Sequence, residues 1–287
     1  AASAEALARS PDSPAAWAST AAALFRNADF DGAEAAARRA LELDPHQPDA
    51  LVALARCCDT RGLEEDQRAH LEAALKAAPT HAVALRLLSG TLDHNAERKR
   101  AAELGKLYLA QKEPGPRGEL FSRNAKQILK LFDALGDTQL ELLPPEAERP
   151  ARTAVPLSLA GGEPSIELEL GAIKRRVLFD TGEESVTLTE ATARACGAKK
   201  VGELPSSTAT GIENMKIVLV PEVKLGEYRL RNVLAGVGAA DIIGPLAFKG
   251  CRVKMDFAKG ELVLTRQPDD AQPGAQELRQ HVPVQIA

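Results

Sequence analysis

One aspartate in this chain sits where a carboxylate can do chemistry. Val177-Leu178-Phe179-Asp180-Thr181-Gly182 is an apolar, strand-forming run that delivers Asp180 into a sharp Thr-Gly turn. A carboxylate held there can face a second one across a cleft. Like charges at hydrogen-bonding range cannot both ionise, so such a pair keeps one proton and can hold and polarise a water for attack on a peptide bond. The chain carries a single Asp-Thr-Gly, so the twin must come from a second copy on a two-fold axis or from another half supplied in cis.

Glu183 and Glu184 follow the glycine directly. Pointing inward, they would disfavour ionisation of the pair and raise its apparent pKa values; pointing outward, they form a charged rim. Other chemistries find less support. The five histidines, His46, His70, His81, His94 and His281, are scattered with no Ser or Cys nucleophile motif beside them. Cys57, Cys58, Cys196 and Cys251 lack Cys-x-x-Cys spacing, so no metal and no cofactor are expected; Cys57 and Cys58 fit a helical core, and a Cys196–Cys251 bridge stays open. Gly161-Gly162 is a turn, not a phosphate loop, because no helix follows it.

The elements that must position Asp180 change character along the chain. Pro11, Pro45 and Pro79 are spaced by 34, and between them a two-helix pattern repeats: Trp17, Leu51 and Leu85 align, as do Ala40 and Ala74, and Leu24, Cys58 and Leu92. Residues 117–136 place Leu120, Phe121, Ile128, Leu131, Phe132 and Leu135 at helical spacing, as a cap over the last pair. Prolines 144, 145 and 150 mark a linker at 137–151. The apolar period then falls to two, through Val155, Leu157 and Leu159 and through Ile166, Leu168 and Leu170. Strands are expected at 164–170, 174–180, 186–189, 215–222, 229–235, 251–257 and 261–265, with one short helix at Glu190–Cys196.

The repeating half resembles the tetratricopeptide repeat family over about 11–113, as three repeats. Gln67, where Ala33 and Ala101 stand, and Gly105, aligned with Ala37 and Leu71, depart from its pattern, and the third unit ends irregularly at Glu113-Pro114. That family implies a concave surface for a peptide or partner protein of unknown identity. Residues 152–266 resemble the retropepsin-like aspartic peptidases, through the run into Asp-Thr-Gly and through Asp241-Ile242-Ile243-Gly244 followed by a short helix at Pro245–Lys249. The resemblance implies that Asp180 is the catalytic aspartate, that the Thr181 hydroxyl braces the loop, and that Gly182 permits the turn. It makes Ile242, Ile243 and Gly244 the support behind the loop. It also implies a mobile substrate-covering hairpin around Thr208, Ala209, Thr210, Gly211 and Ile212, with Ser185 as the hydroxyl that the family places one position earlier.

At 287 residues, 45% hydrophobic and a net charge of −4, the chain has room for two cores and no basic stripe for nucleic acid. No apolar run approaches a bilayer span. The expected architecture is an all-α helix-pair solenoid (1–136), a Pro-rich linker (137–151), an all-β peptidase-like domain (152–266) and a tail (267–287). Val282–Ala287 in that tail echoes Val155–Ala160, as a dimer arm or the first strand of a second domain. The expected function is a bacterial-type aspartic endopeptidase acting on extended peptide, as a homodimer or with a second half in cis; the alternative is a non-catalytic scaffold that uses both domains for binding and dimerisation. An Ala-rich start without Met favours an exported or periplasmic chain.

Overall fold

The computed structural model describes Leu7 and residues 10–93, 95–111, 115–141, 144–183, 186–208, 211–248 and 250–266. His94, Glu113, Pro114, Glu184, Ser185, Ala209, Thr210, Lys249 and the tail from 267, with His281 and Val282–Ala287, lie outside the described residues. The chain forms two compact units that divide between Lys126 and Gln127.

The first unit is built from helix pairs: α1 (Pro14–Arg26) with α2 (Phe30–Leu43), α3 (Pro48–Thr60) with α4 (Glu64–Ala77), and α5 (Ala82–Thr91) with α6 (Arg98–Ala110). Local sequence sets their starts. Ser13, Asp29 and His81 each cap a helix by accepting a bond from the amide of Ala16, Gly32 or Ala84, while Pro14 and Pro48 occupy first-turn positions whose missing N–H is not needed. The 34-residue alignment is a burial alignment. Ala33, Gln67 and Ala101 are all buried, as are Ala37, Leu71 and Gly105, and Ala40, Ala74 and Tyr108. These positions recur at i, i+4 and i+7, one face of each second helix, where small side chains let the paired helix approach. Ion pairs link successive pairs, with Arg61 on Asp31 and Glu34, Arg100 on Glu72, and Arg68 on Glu97. Their exposure to solvent leaves each a minor contribution.

Helix α7 (Gly115–Leu135) crosses the division. In the first unit the Arg86 guanidinium lies 4.0 Å from the Phe121 ring centroid. In the second, Leu131 and Leu135 are buried with Leu140 and Ile217, against Val201, Leu204 and Met215. The expected cap over 117–136 thus serves the repeats only in part, because these two leucines find an apolar sheet face. The stretch expected as a linker is also tied down. Glu141 and Arg231 exchange backbone and side-chain bonds, Arg231 reaches Glu148 at 2.8 Å, and the Asn232 amide donates to the Gln139 carbonyl.

The second unit is a ten-stranded sheet: β1 (Arg152–Ser158), β2 (Ser165–Leu170), β3 (Ile173–Phe179), β4 (Val186–Leu188), β5 (Lys199–Thr208), β6 (Gly211–Leu225), β7 (Tyr228–Val237), β8 (Ile242–Ile243), β9 (Cys251–Asp256) and β10 (Glu261–Arg266). Their order is β5-β6-β7-β4-β8-β3-β2-β1-β10-β9, and a further β6–β2 pairing curls the middle of the sheet on itself. Period-two alternation puts Ile166, Leu168 and Leu170 of β2 inside, with Leu188, Val220, Leu225, Ile243 and Leu262. Phe248, on a 3-10 turn at Pro245–Phe248, stacks with Phe179 and meets Tyr228 edge-on. One short helix, α8 (Glu190–Ala195), interrupts the strands. β1, β5 and the two-residue β8 stand beyond the strands expected from sequence, although the period-two run through Val155 and Leu157 falls on β1.

Candidate active site

Asp180 follows directly on β3, and two separate segments hold it there. The Leu178 amide donates to the Asp241 carbonyl, the Phe179 amide to Pro164 and the Asp180 amide to Ile243 at 3.1 Å. The turn closes on itself as the Glu183 amide donates to the Asp180 carbonyl. The Gly182 amide donates to Asp180 Oδ1 at 2.8 Å, a charge-assisted bond that orients the carboxylate. No group among the described residues bonds Oδ2, and Asp180, Thr181 and Gly182 are exposed.

β8 supplies the floor. Its two residues run parallel to β3, with Leu178 opposite Ile242 and Phe179 opposite Ile243, and antiparallel to β4, with Val186 opposite Ile243. The loop between β3 and β4 is therefore pinned by a strand inserted between its own two arms. Gly244 then meets the loop's backbone so closely that a Cβ there would sit 1.7 Å from the Glu183 carbonyl oxygen. The sequence-expected group of Asp180, Gly182, Ile242, Ile243 and Gly244 is thus brought together.

Other expectations fare differently. The Thr181 hydroxyl makes no hydrogen bond among the described residues, so any bracing must come from outside them. Glu183 is half-buried, with Oε2 3.4 Å from the Thr187 hydroxyl, so it reaches along its own loop. Thr208 and Gly211 are paired ends of β5 and β6, and Ser207 faces Ile212, so the expected flap is the tip of a hairpin that runs down to the pair Lys199–Leu219. Its turn residues Ala209 and Thr210 are outside the description.

Asp241 has a role that sequence reasoning missed. Its carboxylate accepts from the Thr189 amide at 2.6 Å and the Thr192 hydroxyl at 2.7 Å, with Arg175 at 3.9 Å, fastening the start of α8 to the strand behind the loop. The available signal was Thr189 at the N-cap position of a short helical stretch, since such a turn needs acceptors. The four cysteines are free thiols, and burial pushes all of them up from the usual thiol range, leaving none activated as a nucleophile. No three His, Cys, Asp or Glu side chains gather as a metal site among the described residues. No described helix is long and apolar enough to cross a membrane.

This arrangement is a single oriented carboxylate on an exposed loop pinned by β8. Residues 166–253 match the aspartyl protease family model. Residues 1–48 and 20–82 match the tetratricopeptide repeat model. The chain therefore combines helical repeats with an aspartyl protease-like β domain. Among solved structures it is similar to a retropepsin-like aspartic protease from Rickettsia conorii, at 22% identity over 40% of this chain and 90% of that one, with a TM-score of 0.32. No curated protein matches.

Proposed function

We propose that the chain is an aspartic endopeptidase in which Asp180 pairs with the Asp180 of a second copy. The observation that carries this reading is the carboxylate itself: exposed, oriented by the Gly182 amide, and mounted on a loop that Gly244 and β8 hold rigid. A two-fold axis through two such loops brings identical acids together, and an isologous interface is the commonest way for one chain to supply both. With one proton shared, the ionised acid takes a proton from water as its oxygen attacks the scissile carbonyl. The protonated acid gives its proton to the carbonyl oxygen; collapse of the tetrahedral intermediate breaks the C–N bond and returns a proton to the leaving amine. The β5–β6 hairpin covers an extended substrate, and the repeats hold a protein substrate or partner.

The test is cleavage of an unfolded protein at mildly acidic pH, with assembly measured by light scattering. Turnover is expected to rise with the dimeric fraction, to be blocked by a statine-type mimic, and to vanish in Asp180→Asn. Unchanged cleavage by that variant would remove Asp180 from the chemistry. A stable dimer that cleaves nothing would make the β domain a binding and dimerisation scaffold.

A further inference from the structure

Gln67 breaks the repeat's own packing rule. At the equivalent positions stand Ala33 and Ala101, yet Gln67 is only 6% exposed, and its side-chain amide makes no hydrogen bond among the described residues. Its amide keeps a little solvent access and no protein partner, so a ligand that enters beside it and displaces water must supply the hydrogen bond instead. It lines a cavity of about 560 Å³ between the second and third helix pairs, a size suited to a small-molecule or side-chain site.

The rest of the lining says what would complete it. Asp59, Glu64 and Glu65 are exposed on its rim and make no ion pair among the described residues. Of the two arginines there, Arg68 is bound to Glu97 and Glu72, and Arg86 lies over Phe121. The amide end of α4 opposes a cation with about half a charge, which the carboxylates in its first turn outweigh. Half-buried Leu87 offers an apolar wall for an aliphatic stem. We infer that this cavity takes the guanidinium or ammonium of a basic peptide side chain, with Gln67 Oε1 accepting at its base and the rim carboxylates supplying the charge.

The test is calorimetric titration of the whole chain with blocked Gly-Arg-Gly, Gly-Lys-Gly, Gly-Asp-Gly and the uncharged citrulline analogue of the first. The arginine or lysine peptide is expected to bind saturably and more weakly as salt rises, with citrulline and aspartate at least about tenfold weaker. Gln67→Ala installs the residue of the neighbouring repeats, so the helices fold and melt as before or later, while affinity for the cation falls about tenfold. The combined Asp59→Asn, Glu64→Gln, Glu65→Gln variant loses the salt dependence. Equal binding of arginine and citrulline, preferred binding of aspartate, unchanged affinity in Gln67→Ala, or no saturable heat at millimolar peptide would each overturn the assignment.

Discussion

Replacing Gly244 by alanine should dismantle the Asp180 loop without touching Asp180. The added methyl would lie 1.7 Å from the Glu183 carbonyl oxygen and 2.5 Å from its carbonyl carbon. Both are backbone atoms of a turn already closed by the Asp180–Glu183 bond, so no side chain can swing aside. The loop and β8 must part by more than 1 Å or so, which places the cost at or above the upper end of ordinary overpacking, about 2–4 kcal/mol, or roughly 6–16 °C in the melting of a unit this size. Gly202→Ala is the matched control. Its methyl would meet the Leu131 side chain at 3.6 Å, an ordinary contact, and its effect should stay within about 1 kcal/mol. Calorimetry reports the midpoints, and hydrogen exchange reports the amides of Asp180 and Glu183, which should lose protection in Gly244→Ala while the repeat helices keep theirs. A variant that melts within about 2 °C of the parent, with both amides protected, would refute the reasoning.

Two further outcomes follow from packing and charge. Leu131→Ala, at a site 4% exposed, should cost about 2–4 kcal/mol and speed exchange along β5 and β6, and a chain that starts at residue 152 should show the same loss; β-strand amides unaffected by either change would contradict the cover described for α7. Burial holds His70 below its ordinary value of 6.5, with Asp66 opposing and Arg38 assisting, so the unfolded chain takes up the proton first. Stability of the repeat unit is then fully present above pH 6.5 and falls as the pH drops from there toward the folded value. Denaturant midpoints measured across pH 5–8 should show this slope in the parent and a flatter one in His70→Gln; parallel curves would dismiss the effect.

The helix pairs were readable because one face repeats at a fixed spacing, and the buried positions Ala33, Ala37 and Ala40 return in later units with that spacing. The paired loop and its floor were readable for a different reason: Asp-Thr-Gly and Ile242-Ile243-Gly244 are each constrained by backbone geometry, which limits the residue types allowed. β5 was not readable. Lys199-Lys200-Val201-Gly202-Glu203-Leu204-Pro205 mixes charges with a glycine and a proline, the composition of an edge strand; among the described residues it pairs only with β6, and a register shift between Lys200 and Gly202 disrupts its alternation. The fate of α7 was hidden as well. Leu131 and Leu135 keep helical spacing whichever partner they meet, and local pattern carries no address for a sheet face far along the chain. Asp241 stands in sequence at the head of a packing motif, while its carboxylate works at a helix start that only the tertiary fold brings near.

A floor strand wedged between the two arms of its own loop imposes an order on biogenesis. A ribosome releases Asp180 well before Ile243 and Gly244 exist, and until they arrive the turn lacks its floor. During that interval, on the order of seconds at ordinary elongation rates, the nascent polypeptide carries its acid without a cradle. Whatever chemistry Asp180 performs on a fixed turn can therefore begin only after Gly244 has been made.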